Sequence, residues 1–407
     1  MAEHIAIIQQ ALRAAGLDGW LFYDFRGSDP LAVRILRLDP ARHKTRRWYY
    51  LIPSEGIPTK ILHRIEPHSL DDVPGESHRY LSWQELHDQL REALASLRSG
   101  ARGAQAPLKI AMQYSPMNAI PYISRVDAGT VELVRSFGAD VVTSADLIQR
   151  FEAVWNEDQY RSHCQAASAL REIVNETFRL IREEIAGGRS LTEYDLQQFI
   201  LSRIAARGMY TYAPPIVAVN AHAADPHYSP SKQGAAPVRQ GDLVLIDLWA
   251  KLTAPGSMYG DITWTGFVGD NVPARQAEVF GVVASARDAA IAYLKKEVAA
   301  GHFPAGGEVD DVCRHVIRTA GYADRFIHRT GHSIGEEVHG NGANIDNLET
   351  QDGRRLLPHT CFSIEPGIYL PGDFGIRSEV DVYLTEREAI VTGLPMQTEI
   401  VPVLLQQ

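Results

Sequence analysis

Five residues in the second half of this 407-residue chain are of types that hold hard metal ions: Asp247, Asp261, His332, Glu365 and Glu379. Asp247 sits in the apolar run Leu243-Val-Leu-Ile-Asp-Leu-Trp-Ala250, and Asp261 lies in Tyr259-Gly-Asp-Ile-Thr263, after a short loop. The two stretches read as the strands of one hairpin. Aspartate is depleted in strands, and a lone ionised carboxylate in apolar surroundings is costly. Such a residue faces solvent, caps a turn, or meets a counter-charge. A second carboxylate across the hairpin adds to the cost, because like charges raise one another's pKa. A divalent cation between them reverses the sign. Four carboxylates and one imidazole would be nearly neutralised by two divalent cations. Oxygen ligands with a single nitrogen suit manganese, cobalt or zinc rather than a thiolate-bound structural zinc. Two such ions roughly 3.5–4 Å apart can clamp the attacking and departing oxygens of a hydrolysis.

The elements that must position these residues follow from periodicity. Residues 3–15 have the pattern of a helix stopped by Gly16, and 82–98 put Leu86, Leu90 and Leu94 on one helical face. Strands are expected at 19–25, 47–52, 60–65 and 108–112, with a Gly- and Ala-rich connector at Ser99–Pro107. These make an α/β domain over residues 1–153 with no recognisable catalytic constellation. From Asn156 the pattern becomes a long helix ended by Gly187-Gly188, and the second domain spans 154–407. Ser190-Leu-Thr-Glu193 is a capping-box signature for the next helix, to about Ala206, and further helices are expected at 274–299 and 309–320. A second hairpin is expected from Thr360–Leu370 and Gly375–Leu384, carrying Glu365 and Glu379. Each half of the domain thus runs helices and then a hairpin with one acid per strand, a loose internal duplication around a shared site.

Length favours two domains, and 45% apolar with 22% charged residues is the composition of a soluble globular protein. A formal charge of −10 argues against nucleic-acid or anionic-membrane partners; the densest basic run, His43-Lys-Thr-Arg-Arg47, reads as a solvated loop. Three widely separated cysteines with no CxxC fit a reducing cytoplasm, and neither a signal peptide nor a spanning run of about 20 apolar residues is apparent.

The order Asp, Asp, His, Glu, Glu resembles the dinuclear metallopeptidases of the pita-bread fold: methionine aminopeptidase, aminopeptidase P and prolidase. So do the contexts Gly-Asp-Ile-Thr263, Thr-Gly-His-Ser-Ile-Gly335, Ser-Ile-Glu-Pro-Gly-Ile-Tyr369 and Gly-Ile-Arg-Ser-Glu379. The resemblance covers about residues 155–405, and the N-terminal domain is similar to the extra domain of the proline-specific and creatinase-like branch. It implies an α+β fold, a pita-bread catalytic domain behind a smaller α/β domain, and a cytosolic homodimer. It implies two divalent metals, manganese first with cobalt or zinc as alternatives, held by Asp247, Asp261, His332, Glu365 and Glu379. Glu365 would also take a proton from the attacking water. His227, in Pro226-His227-Tyr228, would contact the substrate, and His339 would stabilise the tetrahedral intermediate. Arg377 would orient the metal glutamate or meet the substrate carboxylate, against the plainer reading of a pair with Asp381 or Glu379.

The sequence also departs from that pattern. Leu252–Ser257 lengthens the turn between the two aspartates, Trp264 replaces a usual arginine, and Asn220-Ala-His-Ala-Ala-Asp225 replaces the usual segment before Pro-His-Tyr. The expected reaction is hydrolysis of the Xaa–Pro bond of dipeptides. An aminopeptidase P acting on longer Xaa-Pro peptides is the alternative. A non-catalytic relative is opposed by the filled ligand positions. A serine hydrolase using Ser333 in Gly331-His-Ser-Ile-Gly335 would need a buried strand before it and a helix after it. The charged stretch Tyr322–Thr330 and the segment from Glu336 to Gly342 supply neither.

Overall fold

The computed structural model describes residues 1–42, 44–98 and 107–405; residues 99–106 of the connector and His43 lie outside them. The chain divides into two compact units, Met1–Glu152 and Ala153–Gln407.

The first unit is built on a six-stranded sheet: β1 (Gly19–Asp24), β2 (Trp48–Pro53), β3 (Thr59–His63), β4 (Glu76–Tyr80), β5 (Leu108–Met112) and β6 (Ala139–Thr143), in the order β4-β3-β2-β1-β5-β6. Alternation sends Trp20, Phe22, Trp48 and Tyr50 to one face, against α1 (Ala2–Ala14) and α2 (Pro30–Ile35). Leu21, Tyr23, Tyr49 and Leu51 go to the other face, against α3 (Trp83–Arg98) and α4 (Ala128–Ser136). The central strands are therefore buried on both sides, which is why they read as continuous apolar runs.

The second unit is in two halves, each with helices over a sheet. In the first, α5 (Glu157–Ala186) and α6 (Glu193–Ala206) cover a sheet of β7 (Met209–Tyr210), β8 (Ile216–Val219), β9 (Leu243–Leu252) and β10 (Gly260–Phe267). Val244, Ile246 and Leu248 of β9 and Ile262 and Trp264 of β10 face the helices. Fully burying one such aliphatic side chain is worth about 1.5–3 kcal/mol. That outweighs the roughly 1 kcal/mol span of strand propensity that disfavours Asp247. Asp247, Asp261 and Thr263 consequently lie on the opposite, inner face.

In the second half, α7 (Ala274–Ala299) and α8 (Gly306–Thr319) cover β11 (Ser333–Ile334), β12 (Cys361–Ile364), β15 (Val380–Leu384) and β16 (Ala389–Val391). Between β12 and β15 the chain forms a separate ladder of β13 (Gly367–Leu370) and β14 (Phe374–Arg377). The expected second hairpin is thus broken in the middle. Pro366 has no N–H for a ladder, and Ser378 N donates to its carbonyl at 3.3 Å. Glu365 and Glu379 sit at this break. The halves meet where Thr263 bridges Glu379 in antiparallel fashion. Among the described residues, no helix is long and apolar enough to cross a membrane.

One expectation shifts. The capping box of α6 is Thr192 with Asp195, not Ser190 with Glu193. The Glu193 carboxylate is drawn away by buried donors elsewhere, and the cap moves two residues on.

A close approach fixes the strand before His332. Thr330 O accepts Glu365 N at 2.7 Å, and His332 O accepts Ser363 N at 2.9 Å. A Cβ on Gly331 would run into the Ser363 carbonyl between these bonds. Gly331→Ala is expected to destabilise the protein by about 1–3 kcal/mol through overpacking. It should also lower the hydrolytic rate, because His332 and Glu365 flank the clash. An unchanged melting temperature and rate would rule this out.

Candidate metal centre

The register of the first hairpin pairs Asp247 with Thr263 and Trp249 with Asp261. The two aspartates are therefore diagonal neighbours on one face. Thr263 carries the site across to the other half, since its hydroxyl donates to Glu379 Oε2 at 2.7 Å. His332 Nε2 lies 3.6 Å from Asp261 Oδ2 and 3.4 Å from Glu365 Oε1. Its Nδ1 is 3.2 Å from the Ser333 carbonyl, which can only accept. That bond puts the proton on Nδ1 and leaves the Nε2 lone pair facing the carboxylates. One ligand atom each from Asp261, His332 and Glu379 lie within 4.8 Å of one another. Asp247, Asp261, His332, Glu365 and Glu379 all line one cavity of about 220 Å³, together with His227, His339 and Arg377.

The electrostatics are those of crowded, dehydrated acids. Burial pushes the Asp261 carboxyl well above the usual carboxylate range, and Glu379 and Asp247 push the same way. Burial does the same to Glu379, aided by Glu365 and Asp247. Glu365 is pushed up to about 7 by burial, with Arg377 opposing. Asp247 is raised by burial and held back by Arg377. Four such carboxylates crowded at the inner end of the cavity, with Arg377 the guanidinium bonded among them, call for more positive charge. Oδ1 of Asp247 and Oδ1 of Asp261 are buried without a hydrogen-bond partner, so each has a lone pair to give to a cation. The donors are oxygens with one imidazole nitrogen, and Cys164, Cys313 and Cys361 are not in the cavity wall. These residues fit hard or borderline divalent ions.

Arg377 is paired differently from either partner expected for it. Its Nη2 binds Asp247, its Nε donates to Thr263 Oγ1 at 3.1 Å and its Nη1 to Tyr369 OH at 3.0 Å. Asp381 instead accepts Asp261 N at 2.9 Å, deep in the wall beside His163. Trp264 does not enter the site. Strand alternation turns it to the helix side, where the Arg171 guanidinium lies 3.6 Å from its ring centre. The longer turn stays outside too, because Lys251 and Leu252 extend β9 to pair with Tyr210 and Met209. Ser333 is buried, and its hydroxyl accepts Gly342 N at 3.1 Å beneath the following loop, a poor placement for a nucleophile.

Several cavity residues carry no motif in the sequence. Arg329 lines the wall, with Nη1 4.0 Å from Glu349 Oε2. His328 Nε2 lies 2.7 Å from Tyr369 OH, and its Nδ1 lies 2.7 Å from the Arg329 carbonyl. Only the run His328-Arg329 beside the Thr-Gly-His stretch could have flagged them.

The sequence model of metallopeptidase family M24 matches residues 161–386. The probable dipeptidase PepE of Mycobacterium tuberculosis is 30% identical over 356 residues, covering 87% of this chain and 85% of that protein. The Xaa-Pro dipeptidase of Lactobacillus delbrueckii subsp. lactis is 37% identical over 177 residues, 42% of each chain. The crystal structure of dipeptidase PepE from Mycobacterium ulcerans is similar over 98% of both chains, with a TM-score of 0.70 and 26% identity. The architecture is the pita-bread one, α+β, that the order of acids implies.

Proposed function

The chain belongs to metallopeptidase family M24, and on that premise we propose that it hydrolyses the Xaa–Pro bond of dipeptides. The observation that carries the reading is the convergence of Asp247, Asp261, His332, Glu365 and Glu379 on one small cavity. We assign these five as ligands of two divalent cations, manganese in the first place, with cobalt or zinc as alternatives. Bound there, the cations would supply Lewis acidity and lower the pKa of the attacking water.

The chain's own groups do the rest. Glu365, oriented by the Ser363 hydroxyl at 3.1 Å, takes the proton of the attacking water and returns it to the departing proline nitrogen. His339 and His227 donate N–H groups to the oxygen of the tetrahedral intermediate. Arg377 has Nε, Nη1 and Nη2 each engaged and serves to orient Asp247 and, through Thr263, Glu379. Arg329, on the cavity wall, is the guanidinium we assign to the substrate's terminal carboxylate. A dipeptide presents a carboxylate there and a longer peptide an amide, so this contact favours the dipeptidase over an aminopeptidase P. The proposal includes a cytosolic homodimer.

Charged hydrogen bonds contribute about 1.5–3 kcal/mol. Arg329→Gln is therefore expected to raise KM for Xaa-Pro by about tenfold or more, with little effect on Xaa-Pro amides. Equal losses on both would reduce Arg329 to a structural role. The function itself is tested by rates on Xaa-Pro against Xaa-Pro-Xaa peptides, with manganese, cobalt or zinc restored to chelator-stripped enzyme. Metal-independent cleavage of peptides lacking proline would overturn it.

A further inference from the structure

The departure at Asn220–Asp225 leads to a carboxylate that the chemistry above does not use. Glu193, at the start of α6, is completely buried, yet among the described residues no arginine or lysine is paired with it. Its Oε1 accepts Val219 N at 2.7 Å and faces His222 Nδ1 at 2.9 Å. Its Oε2 accepts Tyr228 OH at 2.6 Å and Ala236 N at 2.7 Å. A carboxylate only accepts, so His222 Nδ1 carries the proton. The His222 and Tyr228 rings stack at 4.4 Å, which closes the cluster.

These four donors bracket one segment. Val219 ends β8, Ala236 lies at the far end of the following loop, and His222 and Tyr228 flank Pro226-His227. Asp225 adds a local brace by accepting His227 N at 3.1 Å. The result is an irregular loop tied at four points to one carboxylate, with His227 projecting to the metal cavity from between them. We propose that Glu193 is the positioning residue for His227: it sets the loop so that the imidazole reaches the scissile carbonyl, and it acts on catalysis only through that histidine.

This rests on the role given to His227 above. The test is a double-mutant cycle on the metal-loaded enzyme with Xaa-Pro substrate: Glu193→Gln, His227→Ala and the two combined. Glutamine turns one acceptor oxygen into a donor facing donors. A displacement of about 1 Å at a catalytic group can lower the rate on the order of 10²-fold. Glu193→Gln is expected to lower kcat by about that factor, with KM and bound metal near wild type, and the double variant should be no slower than His227→Ala. Additive losses, or loss of metal with the rate, overturn the positioning role while leaving His227 in place. A wild-type rate in His227→Ala overturns the role of His227 itself, and the positioning role with it. Should Glu193→Gln not fold, Tyr228→Phe removes a single tie; its smaller loss in kcat should likewise vanish when His227 is alanine, and persistence of the loss counts against the proposal.

Discussion

Asp261→Ala is expected to abolish Xaa-Pro hydrolysis and to lower the bound metal below the wild-type stoichiometry. Asp261 offers a buried Oδ1 with no hydrogen-bond partner and an Oδ2 3.6 Å from His332 Nε2, and burial, with repulsion from Glu379 and Asp247, pushes its carboxyl well above the usual range. Loss of an outer partner of a metal site costs about 10–100-fold in affinity or activity. Removing a ligand at the centre of the set should cost more. The effect on stability has two signs. With metal, the variant should melt lower than wild type, because a cation that binds only the folded chain stabilises it. After chelation, it should melt no lower than stripped wild type, because the substitution relieves four crowded carboxylates. Metal analysis and thermal melts with and without chelator read both. Full metal content in an inactive variant would remove Asp261 from the ligand set.

His339→Ala should separate catalysis from metal binding. The His339 ring meets the His332 ring edge to face at 4.3 Å and lies on the exposed side of the cavity, beside a residue we assign as a ligand but outside the set so assigned. Removing one donor to a developing oxyanion costs about 10²–10³ in kcat. We expect a loss in that range, with KM for the dipeptide changed little and two metals still bound. Loss of metal in parallel with the rate would mean that His339 holds His332 in place instead of meeting the substrate.

The difference between these two histidines shows what could be read along the chain. Both stand in a glycine-rich stretch with the same chemistry, and their order relative to the four acids marks the family. Nothing local says which ring faces the carboxylates. The tertiary structure decides that, by setting His332 Nε2 3.6 Å from Asp261 Oδ2 and 3.4 Å from Glu365 Oε1. Arg377 is a similar case. Its type and neighbours point to a carboxylate partner, but the partner is Asp247, 130 residues earlier, and not Asp381 or Glu379 close by. Glu193 reads locally as a helix cap; its donors come from Val219 to Ala236. Arg329 has no motif at all.

Sequence alone determined several of the strands and the long helices and singled out Asp247, because periods of 2 and 3.6 and the cost of an aspartate in an apolar strand are local properties; it missed the break at Pro366 and the cap of α6. Only the tertiary structure decided which partners each charge has. The bridge from Thr263 to Glu379 spans 116 residues, and bonds of that reach depend on how two sheets meet. In a site where desolvated charges are worth several kcal/mol each, that meeting selects the role of every side chain.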